Sequence, residues 1–381
     1  MECTCNRCLL NTSFSGVVIA DDGICNFCKF HDELIEKYQS SDESNQGLIQ
    51  LFNKIKEDGA GKKYDCIIGV SGGTDSSYLL YLAVKMGLRP LAVHYDNTFN
   101  REIASQNIYE ITKRLNVDLY THVLNNEEGS LIKRAFILSE VFEFDADSDI
   151  AYVQLMRTQA RKWRTKYILE GHSFTAEGIS PVGRAYIDGK YIDTIINTYG
   201  KGRVKTLPKM SFIQFCIWIF VYRQKFVRPL WYLKYEKEAA RKLLTDKLNW
   251  KYYGGHHLEN RASYFSHNIW FTEKYSVDYR ILELCAKLRM NLINRKDAED
   301  SLKESVVRDS ENFEYMCKRL NIAETEMNKI LNNGQQRSYR EFKTYKKLFE
   351  FFAPFFKYAS KRQYVSESFY MKYCVPEKNI R

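Results

Sequence analysis

The sharpest chemistry in the sequence sits in seven residues, Ser71-Gly72-Gly73-Thr74-Asp75-Ser76-Ser77. Two glycines let the main chain approach an anion with no Cβ in the way. Ser71, Thr74, Ser76 and Ser77 add hydroxyl donors, and a helix starting here would add free N–H groups and the positive end of its dipole. Such a turn suits a phosphate or diphosphate. Asp75 is foreign to a pure anion nest and fits one in which a cation, magnesium, is shared with the phosphates. The pattern G-x-x-x-x-G-K-[ST] is absent, so γ-phosphoryl transfer of the familiar NTPase type is not indicated.

A second constellation lies at the N-terminus. Half of the ten cysteines fall within the first 28 residues, and Cys5-Asn6-Arg7-Cys8 and Cys25-Asn26-Phe27-Cys28 form two C-x-x-C pairs. Two such knuckles supply four thiolates to one tetrahedral zinc ion, and a closed shell of four cysteines is structural rather than catalytic. Metal binding provides folding energy to a segment too small for its own core. Cys3 is a spare that could compete with Cys5. The thioredoxin context that would make these redox pairs is lacking. Cys66 reads as a core residue, and Cys216, Cys285, Cys317 and Cys374 are isolated in apolar or aromatic stretches.

These sites need elements to hold them. The chain has 381 residues, 45% hydrophobic and 27% charged, with net charge +10, enough for two or three domains and for real buried cores. No apolar run approaches the roughly 18–20 residues of a membrane span, and no basic-then-apolar leader is visible, so a cytoplasmic protein is expected. Residues 31–62 look like a helical connector with a polar break at 40–45. Tyr64–Val70, Leu91–Tyr95, Val117–Val123 and Tyr167–Leu169 read as strands. Helices are expected at Ser76–Met86 (with Gly87 to end it), through Ala104, Ile108, Ile111 and Leu115, and around Ala151–Trp163. This β-α-β alternation predicts a parallel, doubly wound α/β sheet. Beyond about Asp193 helical patterns dominate, including Glu238–Leu248, Asp278–Met290 and Arg295–Val307. Three parts are expected: a zinc knuckle over 1–40, a nucleotide-binding α/β domain over 60–200, and a helical substrate- or partner-binding region over 201–381.

The helical region carries further clues. Trp250-Lys251-Tyr252-Tyr253-Gly254-Gly255-His256-His257-Leu258-Glu259 is its densest polar-aromatic cluster, and the two glycines permit a sharp turn that exposes His256, His257 and Glu259. Phe212–Tyr222 (FIQFCIWIFVY) is too short to span a bilayer and reads as a buried helix, with attachment to a membrane interface as the alternative. Residues 331–381 hold 11 Lys/Arg against 4 Asp/Glu, interleaved with Phe349–Phe356 (FEFFAPFF). Such mixtures bind a protein partner, anionic lipid or nucleic acid, or simply solvate a packed helix.

The S-G-G-T-D-S turn resembles the S-G-G-x-D-S motif of the PP-loop ATP pyrophosphatases, which have an adenine nucleotide alpha hydrolase-like sheet and cleave ATP between the α and β phosphates. The resemblance implies a nucleotide cradle of Gly69, Ser71, Gly72, Gly73, Thr74, Asp75, Ser76 and Ser77, with Asp96 of His94-Tyr95-Asp96-Asn97 at a ribose or adenine contact. Glu170-Gly171-His172-Ser173 resembles the G-H-x segment on the reaction side of several such enzymes, so Gly171 joins the cradle. His172 and the Glu177 of SFTAEG join Ser71 and Asp75 as catalytic candidates. The Tyr253–Glu259 segment, with Phe265 and Asp278-Tyr279-Arg280, resembles the W-x-x-Y-G-G-K-H-x-E pattern of N-acetyl sugar amidotransferases, His256 standing where Lys is usual. Tyr253, Gly254, Gly255, His256, His257 and Glu259 are then the sugar-binding residues. That family acts in bacterial surface-polysaccharide (O-antigen) and nonulosonate biosynthesis. It turns a sugar acetamido group into an acetamidino group with ATP and with ammonia from glutaminase and cyclase-like partners. The sugar would be free or carried on a nucleotide or lipid. The competing reading is a PP-loop tRNA-thiolating enzyme, which also combines zinc knuckles with a basic surface but needs a reactive Cys near the loop. Nucleic acid is accordingly not the expected partner.

Overall fold

The structure is a computed structural model that describes residues 3–14, 16–39, 43–179, 186–255, 258–362, 364–366 and 369–376, with 43–45 by backbone alone. Five strands, β1 (Cys66–Gly69), β2 (Pro90–Asp96), β3 (Leu119–Val123), β4 (Tyr167–Leu169) and β5 (Lys225–Val227), pair in parallel in the order β3-β2-β1-β4-β5. Strand order reverses between β1 and β4. In open parallel sheets the crevice at the carboxyl end of that switch point is where ligands bind.

Before the sheet come α1 (Asn26–Gln39) and α2 (Glu43–Gly59). Around it lie α3 (Thr74–Lys85), α4 (Glu102–Leu115), α5 (Asn126–Ser139), α6 (Ala146–Lys162), α7 (Gly189–Tyr199), α8 (Phe212–Cys216) and α9 (Lys237–Leu248). The chain continues as α10 (Arg261–Phe265), α11 (Arg280–Arg289), α12 (Arg295–Lys303), α13 (Ser310–Leu320), α14 (Glu324–Asn332), α15 (Lys346–Phe351) and α16 (Ala353–Lys361).

Successive residues of β1 point to opposite faces, and each face meets its own helices. Cys66 and Ile68 pack with Phe52, Leu79, Leu80, Ile111 and Leu244 from α2, α3, α4 and α9. Ile67 packs with Leu155, Met156 and Ala160 of α6 on the other side. The short all-apolar central strand is therefore buried on both faces, as a parallel sheet requires. Met86 and Gly87 N–H groups close α3 on Leu82 and Val84 carbonyls, Gly87 at φ +79°.

Two expectations need correction, and one helix is unforeseen. A fifth strand lies beyond residue 200, so the α/β layer does not end there; β5 is a three-residue edge strand, too short to show alternation. One apolar core also runs from Phe99 through α5, α6 and α7 to Phe356 and Cys374, joining the helical region to the α/β layer. Helix α5 falls between the predicted elements because half of its residues are buried, Lys133 included, and its exposed residues sit only in its first turn. Lys133 is held by Asp145 and, at 2.7 Å, by Asp147. Elsewhere α12 stops at Lys303, short of Val307. The polar break at Ser40–Asp42 lies outside the described residues. Among those described, no helix is long and apolar enough to cross a membrane.

Candidate functional site

At the carboxyl edge of β1 the chain turns through Gly72 at φ +81°, where a Cβ would stand 2.5 Å from the Ala104 carbonyl oxygen. Only glycine fits there. Trp250 Nε1–H and Asn107 Nδ2–H both donate to the Gly72 carbonyl, at 2.9 and 3.2 Å. Gly73 is the N-cap of α3 and provides no side-chain cap; the Thr74 amide meets the Tyr253 hydroxyl, and the next amides of the first turn have no capping side chain. Ser71 N–H donates to Ser76 Oγ (3.2 Å) and the two hydroxyls stand 3.3 Å apart, which holds the loop open. Ser77 is buried below it. Gly171, after β4, packs against the same helix start: a Cβ there would meet Asp75 and Ser76 backbone at 2.9 Å. Gly69, buried in β1, backs the loop against the Tyr152 ring.

Tyr253 and Glu259 reach over this turn from far along the chain. A Cβ at Gly73 would lie 3.1 Å from Tyr253 Oη, from Glu259 Oε1 and from Ser71 Oγ. Lys251 N–H donates to Asn107 Oδ1 (2.8 Å), and Asn260 Nδ2–H bridges Asn97 and Asn100, which ties the segment to the end of β2. The Ser-Gly-Gly turn and Tyr253 and Glu259 of the candidate sugar segment thus lie against one another. Gly254 turns at φ +96°; His256 and His257 lie outside the described residues. Burial and the Glu259 and Asp75 carboxylates push the Tyr253 hydroxyl up, so it stays a neutral donor.

Asp75 meets two partners from the start of α9 and the residues before it. Tyr235 Oη–H donates to Oδ1 at 2.6 Å, and Lys237 Nζ lies 3.1 Å from Oδ2. Each carboxylate oxygen has one partner here and keeps a further acceptor position, so Asp75 could still share a magnesium ion while pairing with the chain's own Lys237. Burial alone would depress Lys237; Asp75 and Glu177 outweigh it, raise its pKa and keep the ammonium charged. Glu177 Oε2 accepts from Ser173 N–H at 3.3 Å and faces the same lysine.

His172 is not placed as a general base. Trp231 Nε1–H donates to its Nδ1 at 3.1 Å, and the ring also bonds the Gly178 backbone. Burial, with Arg228 next, pushes its pKa down to about 3. A neutral ring with both nitrogens engaged is a strut for the 171–178 loop. Asp96 also serves its own loop: Oδ1 accepts from Thr98 N–H (2.7 Å) and Asn100 Nδ2–H (3.1 Å). Cys66 is fully buried in β1, its thiol pushed up by desolvation, so it cannot act as the thiolate that sulfur transfer would need.

The four N-terminal cysteines converge, their ligand atoms within 4.8 Å of one another. Tetrahedral zinc–sulfur bonds of about 2.3 Å require sulfurs about 3.8 Å apart; Cys5–Cys28 and Cys8–Cys25 stand at 3.8 and 3.7 Å. Amides of Arg7, Cys25 and Cys28 donate to sulfur, as they do to thiolates. The group fits zinc. Beyond the ligands, the buried Arg289 of α11 points Nε–H at Cys28 Sγ (3.3 Å) and Nη2–H at Cys8 Sγ (3.5 Å). Arg295 donates to the carbonyls of Cys5, Asn6 and Cys8. From the knuckle, α1 runs toward the crevice, where His31 and Tyr38 meet Phe174 and Trp231.

Sequence reasoning missed Lys237, Tyr235, Asn107 and Arg289. Nothing local marks them; Lys237 reads as the first turn of an ordinary amphipathic helix, and only the folded chain brings it to Asp75.

A family model described as "LPS biosynthesis protein WbpG-like, C-terminal domain" matches residues 259–355. The match begins at Glu259, inside the segment that covers the loop, and supports the family resemblance carried by the motifs. The uncharacterized protein MJ1599 of Methanocaldococcus jannaschii is 34% identical over 136 residues, which is 34% of this chain and 46% of that protein; the chain thus spans about half of that relative's length. Two solved structures are partly similar. NMN synthetase from Francisella tularensis has a TM-score of 0.33 and 15% identity, covering 74% of this chain and 92% of that one. NH3-dependent NAD synthetase from Campylobacter jejuni has 0.32 and 14%, covering 65% and 93%.

Proposed function

We propose that this chain, with its WbpG-like C-terminal part, is an ATP-dependent, AMP-forming amidotransferase acting on an N-acetylated sugar in bacterial surface-polysaccharide synthesis. One observation carries the reading: Tyr253 and Glu259 lie directly over a Ser-Gly-Gly turn with no side-chain cap, at the switch point of a parallel sheet.

In this reading the amides of the first turn of α3, with Ser71, Thr74 and Ser76, hold the β and γ phosphates, and Lys237 offsets their charge. The acetamido oxygen attacks the α-phosphorus, the α–β phosphoanhydride bond breaks, and pyrophosphate leaves with its electron pair. Ammonia then adds to the imidate carbon, the C–O bond breaks, and AMP carries away the oxygen, leaving the amidine. An amide oxygen is otherwise a very poor leaving group, so adenylation supplies the driving force. The protein's share is positioning and charge stabilisation. Tyr253 as a donor and Glu259 as an acceptor suit an acetamido group and a ring hydroxyl. A partner glutaminase with a cyclase-like subunit would deliver the ammonia in the cytoplasm, where ATP is made available. Zinc holds the knuckle and takes no part in the reaction.

The test is ATP–pyrophosphate exchange with nucleotide-linked N-acetyl sugars, followed by product analysis with ammonium present. Exchange that depends on the sugar, and formation of AMP with pyrophosphate, are expected. Formation of ADP and phosphate, or exchange indifferent to every sugar, overturns the proposal.

A further inference from the structure

The element Phe212–Tyr222 and helices α15 and α16 pack on one another through rings: Phe212 meets Phe349 (5.1 Å) and Phe352 (5.8 Å), and Phe220 meets Phe356 (6.0 Å). The other side of each element is apolar as well, and it is bare. Ile213 is 72% exposed and Val221 66%, with Ile217 between them; Phe351 is 78% exposed, Phe355 61% and Tyr358 54%. These are two stripes at helical spacing, joined through the Phe212–Phe352 contact. Half of the exposed large hydrophobics among the described residues lie in these two stretches. Concentration of this kind is unusual on a monomer's surface and marks a contact face.

Its surroundings say what kind. Residues 342–366 contain six Lys/Arg and one acid, Glu350, which Lys346 answers at 3.6 Å. Lys347, Lys357, Lys361 and Arg362 are exposed and form no ion pair among the described residues. Beside the stripe opens a cavity of about 530 Å³ lined by Lys190, Arg340, Lys343 and Lys347. A second copy of the chain is disfavoured as occupant, since a two-fold contact would set these cations against their own images.

We infer that this face lies in the interface of an anionic lipid bilayer, with Phe351, Phe355, Ile213 and Val221 entering the acyl boundary. Lys347, Lys357, Lys361 and Arg362 would meet the headgroups. Apolar area combined with basic residues is what monotopic binding uses. The inference stands apart from the proposed reaction, because none of these residues belongs to the crevice.

Vesicle flotation of the full chain tests it, using phosphatidylcholine alone and phosphatidylcholine doped with phosphatidylglycerol. Flotation with the anionic vesicles, weakened by salt, is expected. The double variant Phe351→Ser/Phe355→Ser should reduce partitioning about tenfold or more, with an unchanged melting temperature and unchanged ATP–pyrophosphate exchange. The triple variant Lys357→Ala/Lys361→Ala/Arg362→Ala should lose the preference for anionic vesicles. The inference fails if the chain floats with neither vesicle, or if the double variant floats as well as the parent. It fails also if the parent is a dimer that the double variant converts to monomer.

Discussion

Two residues set the shape and the charge of the Ser-Gly-Gly loop, and for different reasons. Gly72 is fixed by backbone geometry. Gly72→Ala must either abandon φ +81° or drive its methyl into the Ala104 carbonyl at 2.5 Å. A cost of about 2 kcal/mol or more is expected from strain and clash together, seen as a lower melting temperature along with lost nucleotide binding. Lys237 is fixed by charge. Lys237→Met leaves the half-buried Asp75 without its counter-ion, so an incoming triphosphate would meet a carboxylate in place of an ammonium. The variant should fold and lose about 100-fold or more in kcat/KM for ATP; wild-type exchange kinetics in this variant would remove Lys237 from the phosphate site.

Elements show how far local pattern reaches. The strand–loop–helix unit around Ser71 is legible because the glycines, the apolar run before them and the helical period after them all agree. The knuckle is legible from spacing alone. What cannot be read is the support from distant helices: α11 supplies Arg289 and α12 supplies Arg295 to the knuckle, and the start of α9 supplies Lys237 to the loop. Such residues are chosen by tertiary position, with no period or motif of their own. His172 misleads for the same reason, since its engagement by Trp231 and Gly178 is visible only in the fold. A prediction belongs to the α11 contact. Four thiolates around zinc leave a net charge of −2 that Arg289 partly offsets. Arg289→Met should weaken zinc retention about 10–100-fold, measured by competition with a chromogenic chelator.

Across the whole molecule one apolar core joins α5, α6 and α7 to α13–α16 and makes the helical region part of the framework of the α/β layer. A chain ending at residue 258 strips cover from Phe136, Phe144 and Ile150, and should give a molten state that binds a hydrophobic dye and lacks near-ultraviolet dichroism. Stability should also fall in mild acid. His172 titrates near 6.5 when unfolded and near 3 when folded, so below pH 6.5 the unfolded chain binds a proton that the folded chain refuses. The contribution of the neutral ring is complete above pH 6.5 and diminishes toward 3. Between 6.5 and 5 the loss approaches about 2 kcal/mol, and His172→Gln should flatten the pH dependence of the melting temperature.

The knuckle's dependence on α11 and α12 also sets a timetable for the newborn polypeptide. Cys28 and Arg289 are 261 residues apart. At translation speeds of about 5–20 residues per second, roughly 13–52 s pass between their emergence from the ribosome. Throughout that interval the sulfur cluster stands uncovered, open to oxidants and rival metals. Covering the cluster is therefore a late event, one that joins the chain's first and last quarters.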